Sequence, residues 1–308
     1  MRLIFLGTGR LGLPALRAIV ESKEHEVTAV VTQPDRPAGR GLKARPSPVK
    51  ELAEELGLSV FQPERVNREV QRIRAWKPDA LVAAAYGQIL SKELLEVPRL
   101  GSINLHASLL PKYRGAAPIQ WAIIQGETIT GVTTFLMDEG LDTGPILLQR
   151  SLPISDEDTA GTLEERLAKL GAGLMIETLR GLEAGTLVPR AQDDSQASYA
   201  PKITKELGRL DWTKSARELF NLIRALNPAP GAYTFYKGAR LKVHRSHVVD
   251  LAEGEPGEVI GLSGGLIVRA GEGALELLEV QPEGKRAMSG EDFARGRRIT
   301  LGERLEAQ

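Results

Sequence analysis

The sequence contains no cysteine in its 308 residues. Disulfides, thiol nucleophiles and cysteine-ligated zinc are thereby excluded together. No run approaches the roughly 18 consecutive apolar residues of a membrane span. The start lacks the charged lead and apolar stretch of a secretory leader, so neither anchor nor leader is expected. Charge of one sign is not in excess, since 40 Lys and Arg balance 40 Asp and Glu. A uniformly cationic surface is excluded, and any contact with nucleic acid must come from local patches. Histidine is scarce at four residues, and no His, Asp and Glu cluster has metal-ligand spacing. The expected class is a metal-free cytoplasmic enzyme or binding protein.

Strand-like runs occur at 2–6, 26–31, 80–85, 102–107 and 131–137, with helical periodicity near 14–22, 47–57, 64–75, 116–125 and 160–183. Long apolar strands alternating with helices predict a parallel sheet covered on both faces. Residues 1–189 therefore read as a doubly wound, Rossmann-like α/β domain. Residues 190–206 lose periodicity and read as a linker. In 207–308 a helix, SARELFNLIRAL, is followed by short strands separated by Gly-rich turns, with no helix among them. That texture predicts a small β-barrel or sandwich.

The stretch FLGTGRLG places Gly7, Gly9 and Gly12 in G-x-G-x-x-G spacing between a strand and a helix. A dinucleotide site would also need an acidic residue ending the second strand. That strand ends at Thr32-Gln33, and Asp35 lies beyond it in a Pro-rich loop. A tight turn without cofactor is the better reading.

The densest polar chemistry lies in GSINLHASLLPKYRG (101–115) and MDEGLDTGPIL (137–147). Asn104 and His106 are two apart on a strand, so both side chains leave one face. They sit near the strand's C-terminal end, where open α/β sheets bind ligands. The other three histidines lie in less suggestive surroundings. Asp138, Glu139 and Asp142 occupy a turn that Gly140 and Gly144 permit. With no Ser or Cys nucleophile in reach, Asn104 and His106 suit stabilisation of an oxyanion, with Asp142 orienting the imidazole. The nucleophile would then be a substrate amine attacking a bound acyl donor.

NLHASLLPKYRG followed by DEGLDTGPIL resembles the folate-dependent formyltransferases. The resemblance implies 10-formyltetrahydrofolate as donor, Asn104, His106 and Asp142 as the catalytic set, and no metal. It implies folate contacts along Ser108, Leu109, Leu110 and Pro111, at Glu139 and Gly140 of the acidic turn, and at a wall of Gln88, Ile89 and Leu90. Members of this group act on glycinamide ribonucleotide, on aminosugar nucleotides or on methionyl-tRNA. TQPDRPAGRGLKARPSPVK (32–50) resembles the insertion loop of the methionyl-tRNA formyltransferases, which implies acceptor-arm contacts by Arg36, Arg40, Lys43 and Arg45. YAPKITKE, LNPxPGA and LEVQPEGK resemble that group's second, OB-like domain, where Lys237, Arg240, Lys242 and Arg245 would add tRNA contacts. Gly9-Arg10 and Ala229 depart from the group's usual proline and tryptophan without touching the expected chemistry. The expected partners are initiator methionyl-tRNA and folate, for a monomer that binds no membrane. The alternatives are a folate formyltransferase acting on a small amine, an NAD(P)-dependent oxidoreductase, and a non-enzymatic RNA-binding protein.

Overall fold

The run RLIFLG forms β1 (Arg2–Gly7), buried at every position after Arg2 as a strand covered on both faces must be. The structure, a computed structural model, describes residues 1–38, 43–251, 253–262 and 265–306. After β1 come α1 (Leu13–Ser22), β2 (Glu26–Val31), the short strands β3 (Arg36–Ala38) and β4 (Lys43–Arg45), α2 (Pro48–Glu55), β5 (Val60–Phe61), α3 (Val70–Ala75) and β6 (Ala80–Ala84). They are followed by α4 (Lys92–Leu95), β7 (Ser102–His106), β8 (Arg114–Gly115), α5 (Pro118–Ile124), β9 (Ile129–Leu136), β10 (Ile146–Pro153), α6 (Ala160–Glu183) and β11 (Tyr199–Ala200).

Two compact units form. The first comprises Met1–Pro118, Ile129–Pro153 and Glu164–Ala200. The second comprises Ile119–Thr128, Ile154–Leu163 and Pro201–Gln308. The first is built on a seven-stranded sheet in the order β10-β9-β7-β6-β1-β2-β5. The five strands from β7 to β5 pair in parallel. The expectation of an all-parallel sheet is corrected at the other edge, where β9 runs antiparallel to β7 and β10 antiparallel to β9. The connection 137–145 is too short for the crossover a parallel pair needs. Periodicity also passes over β10, whose outer half is largely exposed.

The second unit starts from α7 (Ala216–Ala225), capped by Ser215 and Glu218 in a reciprocal capping box. Its sheet contains β12 (Ala232–Tyr236), β13 (Ala239–Val249), β14 (Val259–Gly261), β15 (Leu266–Arg269), β16 (Ala274–Pro282) and β17 (Met288–Ser289). The order is β12-β13-β16-β15-β14, with β17 paired to β16. The tail closes this sheet on itself. Glu306 exchanges both backbone hydrogen bonds with Phe235 on the β12 edge, while Arg304 bridges to Glu258 beside β14. Trp212 donates its indole N–H to Thr234, whose hydroxyl reaches the Glu306 carbonyl. The expectation of strands without helices is corrected by α8 (Gly290–Arg297), which brings Phe293 edge-on to Tyr236 in the core. Only Phe293 and Ala294 give that helix an apolar side-chain face.

At the barrel seam Glu303 accepts from the Tyr236 hydroxyl at 2.7 Å and from Lys237 Nζ at 2.9 Å. Lys237, then Tyr236 and the Thr300 N–H, hold its carboxyl down at about 2, against an ordinary 4.5. A depressed carboxyl contributes stability that is complete above its unfolded value and vanishes as pH falls through the folded one. The gap in melting temperature between the wild type and Glu303→Gln should therefore be constant above pH 4.5 and shrink as pH falls towards about 2. A gap that stays constant over this acid range would show that the charge of Glu303 is not what stabilises the seam.

Candidate active site

Strand β7 alternates, so Asn104 and His106 leave the same face. His106 is buried, with Nε2 2.9 Å from the Tyr113 carbonyl. A carbonyl only accepts, so Nε2 carries the proton and donates. Nδ1 lies 3.6 Å from Asp142 Oδ2, within ion-pair reach but too far for a hydrogen bond. Phe135, beside Asn104 on β9, sets its ring edge-on to the imidazole at 6.5 Å. The half-buried Asn104 amide has no hydrogen-bond partner among the described residues. A polar group in that position is a ready donor for a ligand.

The loop after β7 is braced internally. The Ser108 hydroxyl donates to the Lys112 carbonyl at 2.6 Å. Thr133 Oγ1 donates to the Ser108 carbonyl and accepts from the Leu110 N–H, while Gln149 Nε2 donates to the Leu110 carbonyl. Leu110 is buried against Phe135 and Ile146. Ser108 to Pro111 are thus held in place, with the Ser108 carbonyl and both Leu110 backbone groups bonded internally. Tyr113 N–H donates to Ser198 Oγ, and β8 pairs in parallel with β11. At Gly115 the backbone is left-handed, with φ at 118°, and a Cβ would stand 2.9 Å from the Ala200 carbonyl oxygen. Only glycine fits there.

Leu136 at the end of β9 pairs with Ile103, so the turn 137–145 begins at the opposite end of β7 from His106. It folds back along the strand. Asp138 Oδ1 accepts from Gly140 N–H and Thr143 Oγ1, tightening its first half. Asp142 sits at φ 54°, a left-handed conformation that costs a non-glycine residue about 1–2 kcal/mol. Its Oδ2 accepts from Gly115 N–H at 2.8 Å. A hydrogen bond to a charged group contributes about 1.5–3 kcal/mol, enough to offset that strain. Gln192 Nε2 donates to the carbonyls of both Asp142 and Gly144, at 2.8 and 2.7 Å. Its Oε1 accepts from the buried Arg114 guanidinium, which also meets Asp194 at 2.8 Å. Gln192, Ser198 and Ala200 all fall in the stretch expected to be a linker, and sequence reasoning missed them.

The remaining residues implicated by the sequence are distributed as follows. A cavity of about 490 Å³ is lined by Lys92, Leu95, Glu96, Met137, Asp138, Glu139 and Gly140. Glu139 and Lys92 face each other at 3.8 Å. Ile89 is 80% exposed, whereas Leu90 is buried in the core. The Gln88 amide is engaged by Val66 N–H and the Glu64 carbonyl. In the opening glycine turn the N–H groups of Thr8 and Gly9 both donate to the Ala85 carbonyl. Two amides of the turn are thereby withdrawn from any pyrophosphate. Of the basic loop, Arg36 and Arg45 stand directly opposite each other across the β3–β4 hairpin. Lys43 lies in β4, and Arg40 falls outside the described residues. In the second unit Lys237 is paired with Glu303, Arg240 lies 4.6 Å over the Tyr233 ring, and Lys242 Nζ donates to the Pro230 carbonyl. Arg245 is opposite Glu279 in the β13–β16 register. Among the described residues no group of three or more His, Asp or Glu side chains is arranged to hold a metal, and no helix is long and apolar enough to cross a membrane.

Residues 1–179 match the formyl transferase family model, and residues 202–298 match the model of the formyl transferase C-terminal domain. The chain is 50% identical to the methionyl-tRNA formyltransferase of Caldanaerobacter subterraneus subsp. tengcongensis, over 98% of this chain and 99% of that one. It is 52% identical to the methionyl-tRNA formyltransferase of Solibacter usitatus, over 99% and 98%. Among solved structures, HypX from Aquifex aeolicus in complex with tetrahydrofolic acid has the same fold, at TM-score 0.67 and 19% identity. That match covers all of this chain and 51% of HypX, so this chain spans about half the length of that protein. The chain belongs to the formyl transferase family, in the branch formed by the methionyl-tRNA formyltransferases.

Proposed function

We propose that the chain transfers a formyl group from 10-formyltetrahydrofolate to the α-amine of initiator methionyl-tRNA, acting as a cytoplasmic monomer. The observation that carries this reading is near-complete, two-way coverage by methionyl-tRNA formyltransferases at about half identity, extending through the second unit. The methionyl amine attacks the formyl carbon, and the carbon–nitrogen bond to the folate N10 breaks. The proton lost by the amine passes to N10. Negative charge gathers on the formyl oxygen during the addition, where the free Asn104 amide donates to it. His106 serves as the second donor by exchanging its bond to the Tyr113 carbonyl for one to that oxygen. Asp142 orients the imidazole and, through a bound water, assists the proton transfer.

Features of the first unit support a folate donor on chemical grounds. The cavity beside the acidic turn has the 300–1,000 Å³ size usual for small-molecule pockets and mixes apolar and charged walls. Exposed Ile89 and the braced Ser108–Pro111 segment offer further surfaces. For the acceptor, Arg36 and Arg45 present like charges directly opposite each other, an arrangement that a bound phosphate relieves. Arg40 and Lys43 would extend that contact along the acceptor arm. In the second unit Arg240, Lys242 and Arg245 of β13, and Lys237 by exchanging its bond to Glu303, would add contacts to the tRNA backbone.

The deciding experiment supplies 10-formyltetrahydrofolate with methionyl-tRNA or with glycinamide ribonucleotide and measures which becomes formylated. Only methionyl-tRNA should react, and His106→Ala should lower turnover by about 10²–10³. Formylation of the ribonucleotide alone would overturn the substrate, and wild-type turnover by His106→Ala would overturn the mechanism. Arg36→Ala and Arg45→Ala should weaken tRNA binding and each reduce the slope of log affinity against log salt by about 1. An unchanged slope would remove the hairpin from the interface.

A further inference from the structure

We infer that Gln192 is a positioning residue for the transfer reaction, acting through Asp142. This rests on the formyl transfer proposed above and assigns a role to a side chain outside the Asn104, His106 and Asp142 set.

The Gln192 amide is fully used. Both N–H donors go to carbonyls of one turn, Asp142 at 2.8 Å and Gly144 at 2.7 Å. The oxygen accepts twice from Arg114, at 3.1 Å from Nε and 2.8 Å from its terminal nitrogen. The orientation of the amide is unambiguous, because a guanidinium only donates and a carbonyl only accepts. Arg114 is 2% exposed and immediately precedes Gly115, whose N–H holds the Asp142 carboxylate. Gln192 therefore fastens the backbone of Asp142 on one side, while Gly115 fastens its side chain on the other. Between these two anchors Asp142 keeps its left-handed backbone and its 3.6 Å approach to His106 Nδ1. In a turn that begins beside Ile103, a single side-chain nitrogen thus joins the Asp142 and Gly144 carbonyls.

The chemistry of the amide separates its two halves. Gln192→Glu keeps an acceptor for Arg114 but sets a carboxylate oxygen against two carbonyl oxygens. Gln192→Met keeps the length and removes both halves. If the role is to fix Asp142, both substitutions should lower kcat by about 10- to 100-fold, the loss expected for a catalytic group displaced by about 1 Å. KM for methionyl-tRNA should stay within about twofold, because uniform binding is untouched. In an Asp142→Asn background the additional loss from Gln192→Glu should shrink to about twofold, since residues acting as a unit are not additive. All variants are assayed as the full chain with 10-formyltetrahydrofolate and methionyl-tRNA, with thermal melting alongside. Wild-type kcat in Gln192→Glu, or an equal loss in both backgrounds, would overturn the inference. So would loss of folding in Gln192→Glu accompanied by normal kcat in a folded Gln192→Met. A wild-type chain that formylates no methionyl-tRNA would instead overturn the proposed function.

Discussion

A carboxylate carried on a turn that leaves the sheet at the far end of β7 has to be returned to the imidazole at the near end. The separation between Ile103, where the turn begins, and His106, where Asp142 must arrive, is the constraint around which the first unit is organised. The antiparallel β9–β10 edge creates it. Asp138 shortens the turn, Gly115 receives the carboxylate, and the pairing of β8 with β11 holds Gly115 in place. Each contact is of ordinary strength. Together they keep one residue in a backbone conformation that a free loop would leave.

The legible parts of the fold were those written as periodic patterns. EVTAVV at 26–31 coincides with β2 because a strand buried at its inner end must be apolar there. Asn104 and His106 could be paired from the sequence because strand alternation places them on one face. The edge strand β10 and the helix α8 were not legible for a shared reason. Partial exposure breaks the apolar alternation with polar residues in ILLQRSLP and with charge in GEDFARGR, where Phe293 is the single large apolar residue. Gln192 was invisible on different grounds. Its partners are backbone carbonyls about fifty residues earlier, and a side chain that serves main-chain atoms imposes no pattern on the residues it touches.

Charge tells a similar story of local settlement. Lys50 belongs to the basic stretch 32–50 yet is bound to Asp35 at 2.7 Å, with Gln62 on the other carboxylate oxygen. That pairing ties the base of the hairpin to α2 and the residue after β5. Lys237 is likewise committed to Glu303. Arg36 and Arg45, by contrast, face one another across the hairpin with no acid between them in register. A count of cations along the chain therefore overstates the field at some positions and understates it at others.

The glycines of FLGTGRLG have a consequence for how such patterns are interpreted. A Cβ on Gly7 would meet the Phe5 ring at 2.7 Å, and one on Gly12 would meet Ala84 Cβ and the same ring at 3.1 Å. The spacing is thus a record of close packing around the Phe5 ring and, at Gly12, against the neighbouring strand β6. Two folds can share it for that steric reason while differing in what the turn's amides do. Here the Thr8 and Gly9 amides stitch the first turn to Ala85, the residue that follows β6. The diagnostic quantity for nucleotide capture is the number of unspent N–H groups, which a glycine count does not measure.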